Sequence, residues 1–229
     1  MQEKITIAID GHSSTGKSTV AKELARKLGY LYVDTGAMYR AVSFFALSEN
    51  LLNNGKLDVT ALEHQLKDID ITFQRNPENG NNEVCLNGRN IEKEIRTLEV
   101  SNVVSIVAAV SAVRSKLVEQ QQKMGAAKGV VMDGRDIGTV VFPEAELKVF
   151  MTAAADVRAQ RRFEELTNSG QDVNYEDVLK NVMERDHIDT HREDSPLIQA
   201  DDARLLDTSH MDRKQQFDTL LHWVNQELR

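Results

Sequence analysis

The sequence predicts an α/β fold, a mostly parallel sheet flanked by helices. Two patterns predict it. Short apolar runs rich in β-branched residues alternate with longer stretches whose apolar residues recur at helical spacing. A glycine-containing loop then joins the first such run directly to the first helical stretch. A chain of 229 residues is long enough for one such core carrying insertions.

Each element has its own signal. Ile5-Thr6-Ile7-Ala8-Ile9 reads as a buried strand. Val20, Ala21, Leu24, Ala25 and Leu28 mark a helical face, and Gly29 ends that helix. Leu31 to Val33 is a second strand, Ala37 to Glu49 a helix, and Asp58 caps another that ends near Lys67. Residues 69–91 change character. Ile69 to Phe73 and Glu83 to Leu86 alternate, a turn-rich run at 76–82 separates them, and Asn87-Gly88 follows. An antiparallel ribbon inserted between helices is expected there. Helical sequence resumes over 97–123 with a break near Val110-Ser111. Val130 to Met132 and Leu147 to Met151 are core strands, with helices at 155–166 and 175–190. Leu205-Leu206 is a last short strand. Arg213 to Leu228 closes the chain with Phe217, Leu220, Leu221 and Val224 inward.

Composition narrows the function. The net charge of −8 argues against binding a nucleic-acid polymer, which needs a basic surface. A local pocket of arginines remains compatible with small anions. The one cysteine, Cys85, suits a reducing compartment. The longest apolar run, Val103 to Val113, is too short to span a bilayer. No export leader is expected from the N-terminal residues.

Gly11-His12-Ser13-Ser14-Thr15-Gly16-Lys17-Ser18 matches GxxxxGK[ST] in full, between a strand and a helix. Glycines let backbone N–H groups turn toward phosphate oxygens, and the helix start adds positive potential. The fold class sharpens to a P-loop NTPase-type parallel sheet. Gly11 through Ser18, with Thr19, form the expected nucleotide-phosphate cradle. Lys17 reaches the β/γ-phosphates, and the Ser18 hydroxyl serves Mg²⁺. His12 reads more simply as a solvated or packed loop residue than as a base. Asp133 ends a buried strand, where it either holds a metal-bound water or merely shapes the turn before Gly134.

Arginines discriminate among P-loop proteins. Arg40 lies one turn into the helix after Asp34-Thr35-Gly36, and Arg135 follows Asp133-Gly134 directly. Arg185 and Asp189 are four apart, with Arg192 three further on; the three share a face if the helix continues. Arg158, Arg161 and Arg162 share a face of their own helix. Several separated arginines around a phosphate loop suit the joining of two anionic phosphate groups, whose repulsion must be neutralised. Solvated ion pairs, for instance with Glu164 and Glu165, are the plainer alternative. His187 and His191 stand at i,i+4 but lack a third ligand, so surface histidines are expected. Ser101, Asn102 and Ser105 either read a base edge or hydrogen-bond within the fold.

These motifs together resemble the bacterial cytidylate kinase family. The matches include Ile9-Asp10-Gly11, Asp34 to Arg40, Glu94 to Thr97, Asp133-Gly134-Arg135-Asp136-Ile137-Gly138-Thr139-Val140-Val141-Phe142-Pro143, and Arg158 to Arg162. Glu184-Arg185-Asp186 with Asp189, Arg192 and Ser195-Pro196-Leu197 also match. The resemblance implies a core at 1–36, 97–154 and 171–229. It implies a nucleoside-monophosphate (NMP)-binding region at 37–96 with the antiparallel insert at about 69–91, and a small helical lid at 155–170. It implies ATP with Mg²⁺ as phosphoryl donor and CMP or dCMP as acceptor. Ser105, Arg114 and Asp136 would recognise cytosine, and Arg185 and Asp189 the ribose. Arg40, Arg135 and Arg192 would hold the acceptor phosphate, and Thr35 belongs to the same substrate-binding set. Lys17, Arg135, Arg158, Arg161 and Arg162 would carry catalysis. A cytoplasmic monomer without membrane or nucleic-acid partners is expected. The rival readings are another small P-loop kinase, for UMP or a different monophosphate, and a non-catalytic nucleotide-binding switch. The second lacks an NKxD motif and leaves the acceptor-side arginines without a role.

Overall fold

The computed structural model describes residues 4–53, 55–77 and 82–228. The chain runs β1 (Thr6–Gly11), α1 (Lys17–Leu28), β2 (Leu31–Asp34) and α2 (Thr35–Ser48). A two-residue hairpin follows, β3 (Leu52–Asn53) and β4 (Lys56–Leu57), then α3 (Val59–Gln65). Three strands come next, β5 (Ile71–Arg75), β6 (Asn82–Leu86) and β7 (Arg89–Asn90), then α4 (Leu98–Ala108) and α5 (Ser111–Gly125). The chain continues with β8 (Val130–Gly134), a π-helical turn at Ile137–Val141, β9 (Leu147–Thr152), α6 (Ala155–Asn168) and α7 (Tyr175–His191). It closes with β10 (Arg204–Asp207) and α8 (Arg213–Glu227).

The described residues form two compact units. One comprises the chain through Thr35 and from Val118 onward; the other is Gly36–Leu117. The first unit holds a five-stranded parallel sheet in the order β10-β9-β1-β8-β2. β1 is the central strand and all six of its residues are buried, the polar Thr6 and Asp10 with the apolar Ile7 to Ile9. Ile7, Ile9, Val149 and Met151 form one core with Leu24 of α1 and Leu220 and Val224 of α8. The expected α/β class, with its parallel sheet flanked by helices, is what the chain adopts. In a parallel sheet with helical crossovers, ligands bind beyond the carboxyl ends of the strands. Gly11 and Gly134 lie at those ends.

The second unit contains the antiparallel sheet β5-β6-β7, within the expected 69–91 ribbon. Asn87 and Gly88 both have positive φ, 50° and 79°, which suits a tight hairpin turn. Part of the turn-rich run at 76–82 lies outside the described residues. Asp58 caps α3 by accepting from the Ala61 amide at 3.0 Å. The break anticipated near Val110-Ser111 separates α4 from α5.

Two local features complete the sequence reading: the helix expected at 175–190 ends at His191, and the stretch after Asp136 forms a turn that no signal in the sequence marks. Arg192 is not on the helix of Arg185 and Asp189, because α7 ends at His191 and Arg192 takes extended angles. The Ile137–Val141 stretch, which has no clear period, forms a π turn closed by Val141 N–H to Asp136 O and Phe142 N–H to Ile137 O.

Candidate active site

The phosphate loop leaves β1 through a glycine that the sheet demands. A Cβ on Gly11 would sit 1.9 Å from the Met151 carbonyl oxygen, and its φ is +141°. The loop then turns through Ser14 and Gly16, both at positive φ, and Gly16 caps α1. Lys17 opens that helix almost fully buried, and its ammonium donates to the His12 carbonyl and, at 3.3 Å, to Thr15 Oγ1. Burial, and then Arg135 and Arg185, lower the Lys17 ammonium to about 7 against the opposing pull of Asp133 and Asp10. Lys17 thus lies within electrostatic range of two arginines and two buried carboxylates at once. Thr19 lies exposed on α1.

Ser18 Oγ donates to Asp133 Oδ2 at 2.9 Å, and Tyr32 OH donates to Oδ1 at 2.9 Å. Thr35 Oγ1 donates to the Asp133 carbonyl at 2.7 Å. Asp133 is therefore aimed at the loop serine rather than serving as a turn former. Burial and then Asp34 raise its carboxyl to about 6. Sequence reasoning missed Tyr32, which the register of β2 beside β8 brings to this carboxylate.

Beyond β8, Arg135 Nε donates to Asp189 Oδ2 on α7 at 2.9 Å. Burial pushes the Asp189 carboxyl up, but Arg135, Arg185 and Arg192 together hold it below its ordinary value. Arg135, picked out separately in the sequence, thus joins Arg185, Asp189 and Arg192 in one charge cluster. Arg192 is fixed from the other side, with Nε and a terminal nitrogen donating to Ser195 O at 2.8 and 2.6 Å. Asp136 is buried at the start of the π turn.

The α6 arginines are tied to the loop in different ways. Arg158 is buried; its Nε donates to Ala153 O at 2.9 Å and one terminal nitrogen to Ser13 O at 3.4 Å. Both its terminal nitrogens also meet the Asp186 carboxylate on α7. Burial raises the Asp186 carboxyl, but the His12 and Arg158 hydrogen bonds prevail and hold it at about 2. His12 Nδ1 lies 3.3 Å from Asp186 Oδ1, and its ring meets Phe150 edge-on. It is a packed loop residue. Arg161 donates to Thr15 O at 3.4 Å and to Thr208 O at 2.6 Å, while Thr208 Oγ1 donates to Thr15 O at 2.9 Å. Arg162 pairs with Glu165 at 2.9 Å, the plainer of its two readings. Thr208 and Gln216, whose Oε1 lies 2.9 Å from where a Gly16 Cβ would stand, went unseen in the sequence. Nothing marks either residue except its fold neighbours.

In the second unit, Arg114 is buried, donates to Ala108 O at 3.1 Å and stacks 5.4 Å from the Tyr39 ring centroid. Ser105 is buried on α4, and Arg40 is half-buried on α2. His187 and His191 are exposed neighbours on α7 with ring centroids 4.2 Å apart.

A Walker-type loop on a parallel sheet, with Ser18 facing a strand-end aspartate and arginines on following helices, defines a P-loop phosphotransferase. A family model described as cytidylate kinase matches residues 7–226. Cytidylate kinase of Flavobacterium johnsoniae is 62% identical, covering 97% of each chain. That of Flavobacterium psychrophilum is 60% identical, covering 97% of this chain and 99% of its own. The chain belongs to the cytidylate kinase family. A solved structure of an uncharacterized protein from Eubacterium ventriosum shares the fold, with a TM-score of 0.52 at 11% identity, over 98% of this chain and 99% of that one.

Proposed function

We propose that the protein transfers the γ-phosphoryl group of ATP to CMP and dCMP, giving CDP and dCDP. Two phosphate-binding devices support this reading by meeting in one electrostatic field: the Lys17 loop and the arginines gathered at Asp189. A switch or storage module has no need of the second device.

Lys17 and the loop amides would bind and orient the donor phosphates, and Lys17 would gain stabilisation as negative charge builds during transfer. Ser18 and Asp133 present only oxygen donors, which suit Mg²⁺. When bound, magnesium would neutralise charge on the phosphate oxygens. Arg135, Arg192 and Arg40 would hold the acceptor phosphate, with Thr35 in the same substrate-binding set. Arg185 and Asp189 would meet the ribose, and Ser105, Arg114 and Asp136 the cytosine edge. Arg158, Arg161 and Arg162 would act from a lid at 155–170, excluding water from the transfer. The 37–96 region with its insert would receive the monophosphate. A monomer working in the cytoplasm on small nucleotides completes the reading. No single helix among the described residues is long and apolar enough to cross a membrane.

The test is ATP consumption with CMP, dCMP, UMP, AMP and GMP offered separately. CMP and dCMP should be used preferentially. Equal use of AMP, or no acceptor-dependent turnover at all, would refute the proposal.

A further inference from the structure

We propose that Asp10 is a positioning residue for acceptor recognition, fixing the segment from which Arg135 and Asp136 project. This rests on the reading above that those two side chains meet the acceptor.

Asp10 is the penultimate residue of β1, just before the phosphate loop. Its carboxylate is buried and accepts two consecutive backbone donors, Ile137 N–H at 2.8 Å and Gly138 N–H at 2.7 Å. These are the first amides of the π turn, which has no preceding helical turn to employ them. The strand register pairs Asp10 with Gly134. One residue of β1 therefore holds both ends of the segment, Gly134 through the sheet and Ile137 through its side chain. Only Arg135 and Asp136 lie between.

The anchors at each end are tight. A Cβ on Gly134 would stand 2.6 Å from Thr35 Oγ1 and 2.7 Å from Ile137 Cδ1. A Cβ on Gly138 would stand 3.2 Å from Lys148 Cδ and 3.4 Å from Asp10 Oδ2. The Lys148 stem packs there while its ammonium is held by Asp202 at 2.8 Å. The two residues so held in place are Arg135, directed to Asp189, and the buried Asp136. The phosphate loop and the acceptor segment are thus joined through one carboxylate, and no nucleotide atom need touch it.

Asp10→Asn keeps the shape but turns one acceptor into an N–H₂ donor facing a backbone N–H. Gly138→Ala disturbs the same clamp from the other side and serves if the first variant folds poorly. CMP and ATP affinities are measured separately by calorimetry, below the melting temperature of each variant. Asp10→Asn should weaken CMP about tenfold or more, since small misplacement of binding groups is costly, while ATP, which feels only the lost attraction between Asp10 and Lys17, should weaken several-fold less. Gly138→Ala should show the same split, reduced. A purely structural role predicts no split; equal loss of both ligands, or loss of neither, overturns the inference. Arg135→Ala and Asp136→Ala are run alongside. If they weaken CMP and Asp10→Asn does not, only the role of Asp10 falls. If they leave CMP binding unchanged, the acceptor-site reading falls and this inference with it.

Discussion

The phosphate loop takes its binding groups from the consecutive residues Gly11 to Ser18. The cluster at Asp189 takes its own from the end of β8, from α7 and from the turn beyond it. The loop is held by backbone geometry and positive φ values, and its one charged side chain is buried between two arginines and the carboxylates Asp133 and Asp10, with burial the dominant cost. The cluster is held by charge pairing, with a carboxylate that several arginines keep ionised. On the proposed roles, the loop would carry function at a cost in local electrostatics, whereas the cluster would carry function and cohesion together.

The strongest way to break this contrast is to remove one charge from each region. Lys17→Met should lower turnover roughly 10²–10³-fold by deleting a transition-state contact. Its denaturation midpoint should stay level or rise, because a buried ammonium beside arginines is removed. Asp189→Ala should do the reverse for stability. It leaves Arg135, Arg185 and Arg192 without their shared carboxylate, and breaking such a buried pairing costs about 3–5 kcal/mol. Urea unfolding of both variants checks the pair. If Lys17→Met proves the more destabilised, the contrast is wrong.

A smaller effect concerns α6. Asp186→Asn should weaken the hold on Arg158 by about 2 kcal/mol, the scale of a hydrogen bond to a charged group. Amide exchange across 155–168 should then quicken, read by mass spectrometry. Unchanged exchange would mean that Arg158 is held by Ala153 and Ser13 alone.

A third effect is on pH dependence. Asp10 at about 7 and Asp133 at about 6 both lie above their ordinary 3.8. Between about pH 4 and 7 the folded chain therefore holds more protons than the unfolded chain, and these groups lose stability as pH rises. Lys17 at about 7 lies below its ordinary 10.5, so between about pH 7 and 10 its contribution rises with pH. Unfolding free energy should dip near pH 7, and Lys17→Met should abolish the alkaline recovery. A parent curve with no dip, or a recovery that survives the substitution, would count against these shifts.

The same contrast explains what the sequence revealed. The loop was legible because its signal is contiguous and flanked by a strand and a helix. The sheet and most helices were legible through apolar periodicity and caps such as Asp58 and Gly29. Arg185, Asp189 and Arg192 were visible as one group, but the place of Arg135 in it was not, since Arg135 lies 54 residues from Asp189 in the chain. The helix expected at 175–190 ends at His191, so the condition for Arg192 to share its face is not met, and Arg192 reaches the cluster from the turn beyond. The π turn was missed because five mostly apolar residues fit strand or helix equally. Asp10 was quoted only as part of a motif, because its partners are 127 and 128 residues away.

The proposed division of labour after β8 gives Arg135 the acceptor phosphate and Asp136 the base. Cytosine offers an amino donor and a ring acceptor where uracil offers a carbonyl and an N–H, so a buried carboxylate suits one and is left unsatisfied by the other. The direct measurement is kcat/KM for CMP and UMP in the parent, Asp136→Ala and Arg135→Ala. The parent should favour CMP by about two orders of magnitude, matching roughly 3 kcal/mol. Asp136→Ala should shrink that ratio by harming CMP, while Arg135→Ala should lower both rates alike. A CMP/UMP ratio unmoved by Asp136→Ala would contradict the assignment.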